Sequence, residues 1–194
     1  MLKITQLFLL IILFFAISQT AQASVLIEPL VGYNFSSKAK IDDDDNQNAY
    51  SGAGGAFGGR LGYQKLGFQL GVDYLHSSLD MDDKDFDKNL TLNEWGGFVG
   101  FEFPILLRVY AGYIFSASGT SKFKDKNDDI QELDLKSGSG TKFGIGFTGL
   151  PFLVINLEYR AGSVNEYKLG DTNYDDDKIT YSSYLMSLSI PINL

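Results

Sequence analysis

From residue 25 onward, apolar and polar residues alternate with a period of two, and no useful stretch carries apolar residues at i, i+3, i+4 and i+7. Such alternation gives an extended strand one apolar face and one polar face. Eight segments carry it, at roughly 25–35, 52–64, 67–76, 91–103, 106–116, 140–149, 152–162 and 180–194. The chain is therefore expected to be all-β. Several of these segments hold many glycines, which would weaken a flat sandwich but suit a small, tilted barrel with a narrow interior.

The connections alternate between short and long. Segments two and three meet at Lys65-Leu66, four and five at Pro104-Ile105, and six and seven at Leu150-Pro151. The remaining connections, 36–51, 77–90, 117–139 and 163–179, are long and rich in Asp, Lys, Ser, Asn and Gly. Tight turns at one end and polar loops at the other predict a closed antiparallel up-and-down transmembrane β-barrel of about eight strands, with the turns in the periplasm.

The charges test that expectation. An outer face assigned from aromatic and branched residues alone contains Phe57, Phe68, Val72, Val99, Phe101, Val109, Phe147, Ile155, Leu157, Leu188 and Ile190, which are the expected lipid contacts. The opposite parity then receives every charge within a strand: Glu28, Arg60, Asp73, Glu94, Glu102, Arg108, Lys142, Glu158 and Arg160. A soluble barrel would have to leave all nine on its exterior. A membrane barrel reverses the polarity and makes them a lumen. Ions in a narrow lumen are costly unless paired, so a charge network that plugs the barrel is expected. Glu102 and Arg108 flank one turn symmetrically, and Glu28 and Arg60 lie at similar depth on neighbouring strands; both are expected pairs. Leu26, Leu30, Phe98, Tyr110 and Ile114 share the inward parity, so either part of the lumen is apolar or a bulge shifts the register. Pro29 and Pro191 fall in the strands that must meet to close the barrel, where each withholds a ladder donor.

The first residues change the picture next. Lys3, an apolar run from Leu7 to Ile17 and Ala21-Gln22-Ala23 follow the order of a secretory signal, expected to occupy 1–23 with cleavage after Ala23. The barrel then occupies 24–194, with no further domain expected. The chain contains no cysteine, which excludes a disulfide framework and a lipidated cysteine. Its formal net charge of −8 argues against nucleic-acid partners. Of 24 acidic residues, only five lie in the inward set. Many of the rest cluster in the long connections, as at Asp42 to Asp45, Asp80, Asp82 and Asp175 to Asp177. Asp83, Asp85 and Asp87 begin like a calcium loop, but Lys88 stands where glycine is required and no glutamate closes it. They are weak metal candidates only; no metal or cofactor is expected.

Gly-aromatic strands such as Gly96-Gly97-Phe98-Val99-Gly100-Phe101, short turns, acidic loops and an alternating last strand together resemble the eight-stranded outer-membrane barrels of the OmpA and OmpX type. The resemblance covers the whole of 24–194. It implies a Gram-negative outer membrane, with lipid and lipopolysaccharide as surroundings. Tyr184, Met186, Leu188, Ile190, Ile192 and Leu194 look like the terminal signal read by the barrel assembly machinery, although phenylalanine is commoner than Leu194 at the end. His76 and Ser78 are similar to the His-x-Ser pair of outer-membrane lipid A deacylases, but Leu79-Asp80 departs from the wider motif, and no enzyme is expected. Trp95 and tyrosines 33, 63, 74, 113, 159 and 184 read as interfacial girdle. The function expected is structural: a plugged barrel serving envelope integrity or adhesion to host or cell-surface ligands through its loops. The alternative is passive transport of small hydrophobic molecules, as in OmpW-like barrels.

Overall fold

The computed structural model describes residues 23–42, 49–82, 88–124, 130–169, 172–174 and 178–194. The expected signal segment, the loop tips and the candidate calcium residues Asp83, Asp85 and Asp87 lie outside them. Among the described residues there is no helix. The strands are β1 (Ser24–Asp42), β2 (Ala49–Lys65), β3 (Phe68–Asp82), β4 (Lys88–Phe103), β5 (Leu107–Lys124), β6 (Ile130–Leu150), β7 (Leu153–Leu169), β8 (Thr172–Tyr174), β9 (Lys178–Ser189) and β10 (Ile192–Asn193). All neighbours are antiparallel, and each strand through β7 pairs with the next. Closure comes from β9, which pairs with β7 on one side and β1 on the other. The short β8 extends the upper edge of β7, and β10 continues the line of β9 past Pro191. The result is a closed barrel of eight staves.

The seam tolerates its prolines. The carbonyl of Pro29 accepts the amide of Ile190 at 3.1 Å, and Val25 and Leu194 exchange two backbone hydrogen bonds of 3.0 Å below the break. A proline removes a donor but keeps its acceptor, so the Pro29–Ile190 pair retains one of its two ladder bonds and pairing resumes on either side of it.

At the turn end, β2 and β3 join through Leu66 (φ 52°) and Gly67 (φ 83°). Two left-handed residues in a row are what the strand twist asks of a two-residue hairpin. A side chain at Gly67 would meet the carbonyl of Glu102 at 2.6 Å, so glycine is required there for space as well as for φ. Leu106 (φ 64°) and Phe152 (φ 61°) take the left-handed position in the other two turns. Lys65 and Leu150 belong to paired strands, so these turns sit one residue later than the sequence placed them.

At the other end the sequence expectation needs correction. Much of what read as polar loop continues as strand: residues 36–42, 77–82, 117–124, 130–139 and 163–169 are all in the ladder. The sheet stands on the order of 15–20 Å beyond the Tyr/Trp level, taking β4 from Trp95 to Lys88 at ~3.3 Å per residue and a typical tilt. There the polarity is that of an ordinary soluble protein. Ala39, Leu79, Met81, Leu90, Leu92, Leu135, Val164 and Ile179 point inward and form a buried apolar cluster. Lys38, Lys40 and Lys136 point outward.

In β3, β4, β7 and β9 the cluster residues lie on the same inward parity as the residues below them, whereas β1, β5 and β6 change phase at bulges. The register shifts between Asn34 and Ser37 in β1, between Ile114 and Ala117 in β5, and near Ser137 (φ 57°) in β6. One extra residue exchanges the two faces of everything beyond it. Without these shifts Lys38, Lys40, Asp134 and Lys136 would enter the cluster in place of Ala39 and Leu135.

The cluster predicts a clear asymmetry. Leu79→Ala should lower unfolding free energy by about 2–5 kcal/mol, as a buried Leu-to-Ala change does, whereas exposed Asp80→Ala should change it by less than about 0.5 kcal/mol. Urea titration of the barrel refolded into vesicles measures both. Equal effects would show that the outer lumen is not packed.

Candidate functional site

The site is the lumen at the level of the apolar outer belt. Inward parity, set by the period of the strands, brings Glu28, Arg60, Asp73, Glu94, Arg108, Lys142, Glu158 and Arg160 together, and all eight are buried. Four acids face four bases, so the enclosed charge sums to zero. Glu102 differs: it is half-buried at the turn end of the lumen, where it accepts a hydrogen bond from Gln64 Nε2 at 3.3 Å.

Four of the six ion pairs run across the lumen, and two, Glu28 with Arg60 and Glu158 with Arg160, lie along its wall. Arg108 of β5 donates from Nη1 and Nη2 to the two carboxylate oxygens of Glu28 in β1, at 2.8 and 2.7 Å. That forked geometry is the strongest an arginine makes with a carboxylate. Glu28 also faces Arg60 of β2 at 3.5 Å, and Arg60 Nη2 donates to Glu158 of β7 at 3.0 Å. Glu158 accepts from Arg160 Nε, and Arg160 Nη1 reaches Glu94 of β4 at 2.6 Å. Lys142 of β6 pairs separately with Asp73 of β3. Gly96 and Gly112 leave the room for it, since a side chain would lie 2.7 Å from Lys142 Nζ at the first and 2.5 Å from its Cε at the second.

The expected pair of Glu102 with Arg108 is therefore not made. The two residues are register partners, yet Arg108 turns away to the opposite wall. Register fixes which backbones are opposite. A long side chain in a lumen this narrow can reach several staves, and a fully buried carboxylate attracts it more than one at the wet mouth.

Neutral residues complete the network, and parity alone did not single them out. Asn156 accepts from Arg108 Nη2 at 2.6 Å and donates to Ser189 Oγ at 2.9 Å, and Ser189 donates to Glu28. Tyr181 donates to Glu94 at 2.8 Å. With β9 contributing Ser189 and Tyr181, every stave supplies a member. The inward apolar residues Leu26, Leu30, Phe98, Tyr110 and Ile114 are buried among them. The Arg60 guanidinium lies 4.1 Å from the centre of the Tyr110 ring and 5.7 Å from that of Phe98, a cation held over aromatic faces. Between network and apolar cluster lies a cavity of about 20 Å³, lined in part by Asn34, Ser37, Ser77 and Glu94. That volume admits a water molecule and not a solute.

The outer face carries Phe57, Phe68, Val72, Val99, Phe147, Leu157, Leu188 and Ile190, all exposed, with Phe101, Val109 and Ile155 half-covered by their neighbours. Tyr184, Met186, Leu188, Ile190, Ile192 and Leu194 form one exposed stripe along β9 and β10. His76 and Ser78 share this outer face. His76 Nδ1 lies 2.8 Å from Asn93 Oδ1, which also accepts from the Tyr74 hydroxyl at 2.8 Å, and its ring packs 4.7 Å from that of Phe57.

Comparison with known proteins agrees with this inverted barrel. A family model described as an outer membrane protein beta-barrel domain matches residues 7–184. No curated protein matches the chain in sequence. Among solved structures, Neisserial surface protein A is similar with a TM-score of 0.53 and 14% identity, over 88% of this chain and 99% of its own. Ail, the attachment invasion locus protein of Yersinia pestis, solved with the heparin analogue sucrose octasulfate, is similar at 0.54 and 14% identity, over 89% of this chain and 100% of its own. A closed eight-stave barrel, greasy outside and ionic within, matched over nearly its whole length, belongs to the outer membrane protein β-barrel family, and the outer membrane is where the chain resides.

Proposed function

We propose that this protein is a plugged, non-conducting barrel that braces the outer membrane and holds acidic segments outside it for surface contact or adhesion. The observation that carries the reading is the cross-lumen network: four buried acids and four buried bases tie opposite walls together, under an apolar roof. Passing a hydrated solute would require breaking several of these pairs at once, each at a cost of about 3–5 kcal/mol if one partner were left alone. Passive transport of small hydrophobic molecules would need Phe98, Tyr110 and Ile114 to line an open passage, and the stacking of Arg60 on two of those rings argues against one.

The surface role draws support from Ail, whose name and heparin-analogue complex speak of attachment. The ligand chemistry here is of another kind. Acids such as Asp42 to Asp45 and Asp175 to Asp177 favour a cationic or neutral surface over a polyanion. The stripe from Tyr184 to Leu194 serves as the terminal signal for the barrel assembly machinery, and the outer belt contacts lipid and, in the external leaflet, lipopolysaccharide.

Reconstituted in planar bilayers, the protein should show no stable channel; sustained large ohmic conductance would remove the plug reading. The network should also show strong coupling. Asp73→Leu leaves Lys142 alone in the lumen and should cost about 3–5 kcal/mol, while Asp73→Leu with Lys142→Met should recover most of the loss. Urea titrations of both variants in vesicles check this, and equal losses would show that the pair is not coupled. Cells displaying the protein should bind cationic or neutral surfaces better than cells displaying a variant with asparagine at Asp42 to Asp45 and Asp175 to Asp177; indistinguishable binding would count against the surface role.

A further inference from the structure

We propose that the turn end of the barrel is a lipid-binding rim, with Leu66, Ile105, Leu106 and Phe152 seated in the periplasmic leaflet of the membrane and not standing in the periplasm. The inference is independent of whether the lumen conducts.

Turns that project into water are normally built of Gly, Asn, Asp and Ser. Here they read Lys65-Leu66-Gly67, Pro104-Ile105-Leu106 and Pro151-Phe152, without an acid among them. Their apolar side chains are open to the outside: Ile105 is 73% exposed and Phe152 87%. Leu66, Leu106 and Phe152 also occupy left-handed backbone, where a bulky residue is strained and glycine or asparagine would not be. Packing within the chain covers Leu66 and Leu106 only in part, leaving them 45% and 50% exposed. The turns are nonetheless ordered, because the Gly67 carbonyl accepts the amide of Glu102 at 2.8 Å and the Leu106 carbonyl accepts that of Thr148 at 2.9 Å. Two pinned turns, together with the turn at Pro151-Phe152, therefore present large apolar groups at one end of the barrel.

Lipid is the occupant that the height of the outer belt favours. From the upper aromatic level to the strand ends there are eight residue steps in β4 (Trp95 to Phe103) and β5 (Phe115 to Leu107), and six in β7 (Tyr159 to Leu153). At ~3.3 Å per step and a tilt of ~40° this is about 15–20 Å. The apolar band of such barrels is about 25 Å tall. The apolar turns are continuous with Phe68, Phe103 and Leu107 of the belt and extend it by the missing few ångströms. Lys65, exposed beside Leu66, can lay its stem along the rim and keep its ammonium among anionic headgroups.

The chain's lack of cysteine makes the test direct. Ile105→Cys and Phe152→Cys are labelled with an environment-sensitive nitrobenzoxadiazole and folded into vesicles of phosphatidylethanolamine and phosphatidylglycerol. Val99→Cys, in the belt, and Lys38→Cys, beyond it, are the references, and heat-modifiable gel mobility confirms folding of each. Both turn labels should be quenched by lipid-borne doxyl groups as the Val99 label is, and should be several-fold less sensitive to aqueous iodide than the Lys38 label. Iodide sensitivity equal to that at Lys38 would overturn the proposal. Protection that vanishes when the protein is diluted in excess lipid would overturn it as well, because the rim would then be covered by a second copy of the chain.

Discussion

Hydrocarbon offers a peptide group nothing to bond with, so a strand that crosses a membrane must meet every backbone N–H and C=O within its own sheet. That requirement forces closure, and closure at eight staves leaves a lumen only as wide as its side chains. Everything particular to this protein follows from how it fills that lumen. Charges placed there by the alternation are buried away from bulk water. They are tolerable because they are balanced four against four and because neutral groups add hydrogen bonds to them, Asn156 accepting from Arg108 and Ser189 donating to Glu28.

The same constraint relaxes where the barrel leaves the membrane, and the sequence changes its logic there. Below the bulges, apolar residues face out and ions face in. Above them, Ala39, Leu135 and Ile179 face in and the lysines face out. A single barrel thus carries two opposite binary patterns along one axis. The bulges in β1, β5 and β6 are the joints, each adding the one residue needed to re-phase its stave. In β3, β4, β7 and β9 no shift is needed, because Leu79, Leu92, Val164 and Ile179 already lie on the inward parity of Asp73, Glu94, Glu158 and Ser189 below them.

These features explain which parts of the structure the sequence announced. Face and charge could be read together because parity is a local property: once Phe101 and Leu157 are taken to point outward, Glu102 and Glu158 must point inward. The barrel and its three turns follow from the spacing of those alternating runs. Strand length was harder to read, since beyond the bulge the alternation continues in polar residues and in the opposite phase, which over 36–42 or 130–139 looks like loop. The re-phasing is visible in retrospect as Lys38-Ala39-Lys40, a polar-apolar-polar triplet out of step with Leu26, Glu28 and Leu30. Partners inside the lumen were not readable at all beyond Glu28 and Arg60. They depend on tilt and on rotamers that join β5 to β1 and β4 to β7, and no pattern within one strand encodes those distances.

The division into an ionic lower lumen and an apolar upper lumen also bears on what the barrel can present outside. Ion pairs fix geometry through direction, and the forked bond from Arg108 to Glu28 holds two opposite walls at a set separation. An apolar cluster fixes volume but not direction. Stacking the second on the first gives a pillar whose waist is directional and whose top is packed, so the outer strand ends are braced from within. A barrel with an open, water-filled lumen would couple its outer ends only through the sheet. Here the coupling passes through the interior as well, from the ion pairs at the waist to the apolar cluster above them.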